Sequence, residues 1–275
     1  MWTLSGFSDE ISADFDEQCK VAASLGLKYI EFRSAWNVNV LDLDDEQLAT
    51  VSRVLADHGL GVSSIGSPIG KIRVDEDFDA HLRRMERAME VAALLGSSYV
   101  RVFSFFIPEG DDPEMHRSEV LRRMARLARV AEEYDVVLLH ENEKGIYGDI
   151  PRRCADIVES VSSLSLALAW DPANFVQVGV RPYVDGYELL RPHLEYVQIK
   201  DAVRASGEVV PAGRGDGEVV ETIRALWADG FDGFFSLEPH LSEAHTMGGY
   251  SGPALFAEAW EAFAEILKAE KVPFK

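Results

Sequence analysis

The sequence predicts a parallel (β/α)8 barrel. Three observations predict it: eight short apolar runs, eight amphipathic segments alternating with them, and a length of 275 residues with no linker to divide it. The apolar runs fall at 2–7, 27–32, 60–66, 98–104, 136–141, 165–170, 195–200 and 233–238, each flanked by Gly, Asp or Pro, and read as strands. Apolar residues spaced three and four apart mark helices over 14–25, 45–58, 77–95, 114–134, 150–161, 182–193, 217–229 and 253–269. In 77–95, for example, Phe78, Leu82, Met85, Met89, Ala92 and Ala93 share one face, while Arg83, Arg84, Glu86 and Glu90 take the rest. Gly26, Gly59, Gly96 and Gly230 stand where helices should end, because glycine adopts the left-handed helix-ending conformation without a Cβ clash. A doubly wound open sheet is the alternative with the same alternation. No Pro/Ser-rich linker, composition shift or low-complexity block interrupts the chain, so residues 1–275 read as a single domain.

Composition narrows the function. With 27 Lys+Arg against 47 Asp+Glu, the formal charge of -20 would repel phosphate backbones and anionic lipid, so a nucleic-acid partner is not expected. Cys19 and Cys154 lie far apart inside helical patterns and read as reduced, buried thiols, which points to the cytoplasm. Residues 1–10 show no basic and apolar leader, and no apolar run approaches the roughly 18 residues of a membrane span.

A barrel of this kind carries its site at the C-terminal ends of its strands. Those ends are polar and acidic here: Glu31-Phe32-Arg33, His140-Glu141-Asn142-Glu143, Asp171-Pro172-Ala173-Asn174, Gln198-Ile199-Lys200-Asp201 and Glu238-Pro239-His240. Carboxylates converging from the fifth, sixth and eighth strands repel one another unless a metal or a proton intervenes. The loops 105–113 and 239–252 are long enough to cover the mouth. Gly213-Arg214-Gly215-Asp216-Gly217 precedes a helix as phosphate-binding turns do, but lacks a dinucleotide fingerprint and carries a repelling Asp216.

Taken in order, Gly6-Phe7-Ser8-Asp9-Glu10, Tyr29-Ile30-Glu31-Phe32-Arg33, Ser67-Pro68-Ile69-Gly70-Lys71, Leu139-His140-Glu141-Asn142-Glu143-Lys144, Asp171-Pro172-Ala173-Asn174-Phe175, Ile199-Lys200-Asp201-Ala202 and Ser236-Leu237-Glu238-Pro239-His240 give the chain a family likeness. It resembles the xylose-isomerase-like barrels of sugar (phosphate) isomerases and epimerases, which include inosose-processing enzymes. That resemblance implies a divalent metal held by Glu141, Asp171, Gln198 and Glu238, with Gln198 standing where the family usually has His. Asn174 likewise replaces a frequent His. The oxygen-rich set favours Mn or Mg over Zn.

The implied activity is isomerisation or epimerisation of a sugar, sugar phosphate or inosose. A proton moves next to a carbonyl through a metal-stabilised enediolate, with Glu141 and Glu238 as the proton-transfer pair. The same resemblance suggests substrate contacts at Glu31, Arg33, Ser67, Lys71, Asn174, Lys200, Arg214 and His240. Glu31 and Arg33 read equally as a structural ion pair, Ser67 and Lys71 as parts of a turn, and His240, like His140, as a structural histidine. Arg122, Arg123, Arg126 and Arg129 read as solvated surface or as a contact between copies in a homo-oligomer. Two rivals stay open: a dehydratase acting on an inosose or dehydroshikimate-like substrate, and a non-catalytic sugar-binding barrel with a weakened metal site. A zinc-cluster DNA-repair role is set aside, since seven histidines and a charge of -20 suit it poorly.

Overall fold

The computed structural model describes residues 1–241 and 251–275. Its eight long strands are β1 (Thr3–Gly6), β2 (Tyr29–Phe32), β3 (Gly61–Ile65), β4 (Tyr99–Val102), β5 (Val137–Glu141), β6 (Leu166–Trp170), β7 (Leu194–Ile199) and β8 (Phe234–Leu237). All ladders between them are parallel, in the order β1-β8-β7-β6-β5-β4-β3-β2. A bridge between Phe7 and Glu31 brings β2 back to the end of β1. The sheet therefore curls into a nearly closed barrel, and the open doubly wound alternative is excluded.

Around it lie α1 (Phe15–Ser24), α2 (Asp45–His58), α3 (Phe78–Leu95), α4 (Pro113–Glu133), α5 (Pro151–Val161), α6 (Pro172–Gln177), α7 (Tyr187–Leu190), α8 (Val219–Ala228) and α9 (Gly252–Ala269). Aspartates start many of them, because a carboxylate oxygen satisfies an orphan N–H of the first turn. Asp14, Asp44, Asp77, Asp112 and Asp171 each accept such a bond. Gly59 and Gly96 end α2 and α3 at φ 66° and 69°. The helix expected over 182–193 is broken: a π-helical turn at Pro182–Gly186, then α7, then a 3-10 turn at Arg191–His193. Pro182, Gly186 and Pro192 interrupt its backbone hydrogen bonding, although Tyr187 and Leu190 still bury their side chains. The short α6 was not expected; Pro172 at its first position and the Asp171 cap account for it.

The barrel lumen changes character along its axis, and this gradient positions the site. Tyr29, Tyr99, Tyr196 and Phe234 form a set of edge-to-face and tilted ring contacts near the strand N-termini. Above them Ser63 Oγ joins Ser5 Oγ at 2.7 Å and Tyr196 Oη at 2.9 Å. The C-terminal strand ends hold the charges. No helix among the described residues is long and apolar enough to cross a membrane. Of the expected mouth-covering segment 239–252, residues 242–250 lie outside the described residues.

Candidate active and metal site

Glu141 ends β5, Asp171 follows β6 as the cap of α6, and Glu238 follows β8, so three strands deliver three carboxylates to one end of the barrel. All three are buried, and one ligand atom from each lies within 4.8 Å of the others. Gln198, from β7, donates Nε2 to Glu141 Oε2 at 2.8 Å, while its buried Oε1 meets no donor among the described residues. Asn174 donates to Glu141 Oε1 at 3.3 Å and to the Asn142 carbonyl at 2.9 Å. Asn142 in turn holds the Asp171 backbone, accepting from its N–H and donating to its carbonyl.

Like charges at this spacing need counter-charges, and Lys200, Arg33 and Arg101 supply them. Lys200 Nζ stands 2.8 Å from Asp171 Oδ2 and 2.8 Å from Glu238 Oε2. Arg33 donates to Glu238 Oε1 at 2.9 Å, and also to Asp9 and Glu10. Arg101, from β4, pairs with Glu141 Oε2 at 3.1 Å and stacks over the rings of Phe7 and Phe103. These fields set the protonation states. Burial and the neighbouring Glu141 and Glu238 push the Asp171 carboxyl up to about 7 against the pull of Lys200. At Glu238 burial also opposes the charge, but Lys200, His240, Arg33 and Arg101 outweigh it and hold the group well below its usual range. Burial disfavours the Lys200 charge, yet Asp171, Glu238 and Glu141 keep it firmly protonated.

The remaining expected residues divide. His240 reaches Glu10 Oε1 at 3.1 Å and lies 3.7 Å from Glu238 Oε1, at the edge of the cluster. Lys71 lies over the Phe103 ring, on whose face Arg101 also rests, and pairs with Glu143 at 3.3 Å. Ser67 is different: its Oγ donates to the Arg101 carbonyl and accepts from Ile69 N, so it builds the turn after β3. Glu31 and Arg33 are not each other's ion-pair partners. Glu31 is fully buried on β2, and burial raises its pKa to about 8, with Arg101 and the Ser236 hydroxyl opposing.

Arg214 points away from the cluster; its guanidinium is more than half exposed and pairs with Glu258 on α9. The glycine-rich loop is not an open phosphate cradle either, because the N–H groups of Gly213, Gly215 and Gly217 all donate to Asp201. His140 bonds Ser104, and burial lowers its pKa to about 3, which marks a neutral structural ring. Two features of the cluster are not among the expected site residues: Arg101, whose signal is a charge inside the apolar run Tyr99-Val100-Arg101-Val102, and the grip on Arg33 of Asp9 and Glu10, which the sequence marks only as part of a family motif.

The same architecture recurs in solved structures. A xylose isomerase-like TIM barrel protein from Mycobacterium smegmatis, in complex with magnesium, is 21% identical with a TM-score of 0.72, over 99% of this chain and 97% of that one. A D-tagatose 3-epimerase-like protein is 16% identical with a TM-score of 0.79, over 98% of each. The probable 3-DHS dehydratase AsbF from Bacillus anthracis is 18% identical with a TM-score of 0.77, over 95% of this chain and 98% of that one. Such identities establish likeness of fold. No curated protein matches the chain in sequence. The description of a family, the xylose isomerase-like TIM barrel, matches residues 19–266, and with the barrel and its strand-end carboxylates in view the chain belongs to that family.

Proposed function

We propose that the chain, acting as a single barrel domain over 1–275, is a divalent-metal-dependent isomerase or epimerase of a small polyhydroxylated carbonyl compound: a sugar, sugar phosphate or inosose. The observation that carries this reading is the convergence of Glu141, Asp171 and Glu238 within 4.8 Å in a buried setting. The donor set fits a hard divalent cation such as Mn or Mg, because it is all oxygen and includes Gln198 Oε1, a buried acceptor with no donor of its own. Glu141, Asp171, Gln198 and Glu238 would hold the ion. When bound, such an ion polarises a carbonyl and lowers the barrier to removing the neighbouring proton.

The chain's own groups supply the rest. Glu238 is kept ionised by Lys200, Arg33, Arg101 and His240, so it is the proton acceptor, although those ion pairs lower its basicity. Glu141 enters from β5, with β6 and β7 between it and β8, and is the second carboxylate of the proton-transfer pair, reaching the substrate from another side. Asn174 and Gln198 fix the Glu141 carboxylate through both of its oxygens. Lys71 and His240, both partly exposed, are placed to meet substrate hydroxyls.

The test is incubation of the Mn-supplemented protein in D2O with D-tagatose, other ketohexoses and inososes, followed by proton NMR. Deuterium gained next to the carbonyl, with composition otherwise unchanged, supports the proposal. Loss of water instead would make the protein a dehydratase. Saturable sugar binding without turnover would make it a binding protein.

A further inference from the structure

The cation nearest the carboxylate triad is part of the chain. Lys200 Nζ is 2.8 Å from Asp171 Oδ2 and 2.8 Å from Glu238 Oε2, and the side chain is 5% exposed. We propose that the Lys200 ammonium is a resident counter-ion, competing with a divalent cation for these two carboxylates, so that metal enters only by displacing it. This rests on the metal reading above and deepens it into a statement about how the site is loaded.

Geometry makes the two cations exclusive. A divalent cation held by Asp171 and Glu238 would have to come within a few ångströms of an ammonium that already contacts both carboxylates. Two positive ions that close, in a buried site with little water to screen them, repel strongly. The ion pairs agree: Lys200 is the one of the three cations shared between Asp171 and Glu238, while Arg101 faces Glu141 and Arg33 divides its charge among Glu238, Asp9 and Glu10. Removing the ammonium alone would leave a buried carboxylate cluster under-compensated, a state that is costly to fold. The four-carbon stem of lysine allows its point charge to withdraw as an ion arrives, whereas a guanidinium fork would be harder to dislodge. Gln198 Oε1 points to the same conclusion independently, since it is buried without a donor and lies outside the lysine's contacts. It stays open to a cation while Lys200 holds Asp171 and Glu238, and Glu141 is engaged by Arg101, Asn174 and the Gln198 amide nitrogen.

The test is calorimetric titration of Mn2+ into chelator-treated wild type, Lys200→Met, Lys200→Gln and Lys200→Arg, with thermal melting of each protein with and without Mn2+. Both neutral variants should bind Mn2+ at least tenfold more tightly than wild type, melt lower without it and recover on its addition, since a ligand stabilises the state it binds. Lys200→Arg should bind no more tightly than wild type. If Lys200→Met is too unstable to titrate, Lys200→Gln, which keeps a hydrogen-bonding end, carries the comparison. Mn2+ binding to wild type with no gain in the neutral variants overturns the counter-ion proposal and leaves the metal reading standing. No binding to any of the four proteins overturns both.

Discussion

Replacing Asp201 with alanine probes what orders the loop that follows β7. Its Oδ1 accepts from Ala202 N and Gly217 N at 2.8 Å each, and its Oδ2 from Gly213 N and Gly215 N at 3.0 Å each. A carboxylate thus occupies, from inside the chain, the place an anionic ligand would take in a glycine-rich turn. Glycine is required for the closeness: a Cβ on Gly215 would stand 2.5 Å from the Ala202 carbonyl, and one on Gly217 2.6 Å from Asp201 Oδ1. In Asp201→Ala the Gly213 and Gly215 amides are accessible enough to turn to water, whereas Ala202 and Gly217 stay buried. Two orphaned buried N–H groups at about 1–3 kcal/mol each, with some relaxation, give a destabilisation of about 3 kcal/mol. Asp201→Asn keeps one acceptor oxygen but turns an NH2 toward two donors, and should lose about 2 kcal/mol. Urea denaturation followed by circular dichroism measures both. A loss below about 1 kcal/mol for Asp201→Ala would show that this cage does not order the loop.

Glu31 predicts a pH effect. Its folded pKa of about 8 lies above the ordinary 4.5, so folding takes up a proton between these values. The stability this group contributes is complete below about pH 4.5 and is lost as pH rises through 8, with a slope of about 1.4 kcal/mol per pH unit. Glu31→Gln should remove that slope, gaining most over wild type at pH 8–9, and parallel stability–pH curves would contradict it. Glu141→Gln should lower kcat by about 10²–10⁴-fold at saturating Mn2+, the usual worth of a positioned proton-transfer group; retention of a tenth of wild-type kcat would exclude that role. Gly70 has φ +90°, and a Cβ there would stand 1.9 Å from the Phe103 carbonyl oxygen. Gly70→Ala should therefore destabilise by at least about 3 kcal/mol in urea, and unchanged stability would show that the close approach can be relieved.

What could be read from the sequence was what periodicity and strand ends carry. The eight strands followed from apolar runs, and Glu141, Asp171 and Glu238 stood out because each falls where a strand of a parallel barrel presents its C-terminal end. Counter-charges were harder, because pairing depends on side-chain reach across the lumen. In the sequence Lys200 reads as a substrate contact and Arg101 as one more residue of an apolar strand, whereas in the fold the Lys200 ammonium lies between two carboxylates and Arg101 faces Glu141. Loop direction was hidden altogether. Arg214 follows Gly213, and only the fold shows that the turn sends it toward Glu258 while its neighbours close on Asp201. In 182–193 the apolar spacing was right for helix, but Pro182, Gly186 and Pro192 broke the hydrogen-bond ladder that spacing alone assumes.

Metal content decides whether Glu141, Asp171 and Glu238 form a metal site. Wild type and Glu238→Gln would be purified without chelator, incubated with Mn2+, freed of excess ion and measured by plasma mass spectrometry. Wild type should retain about one Mn per chain, and the variant should lose it because a neutral amide replaces a charged oxygen ligand. Protein that retains no metal in either form, or an equal amount in both, would contradict it.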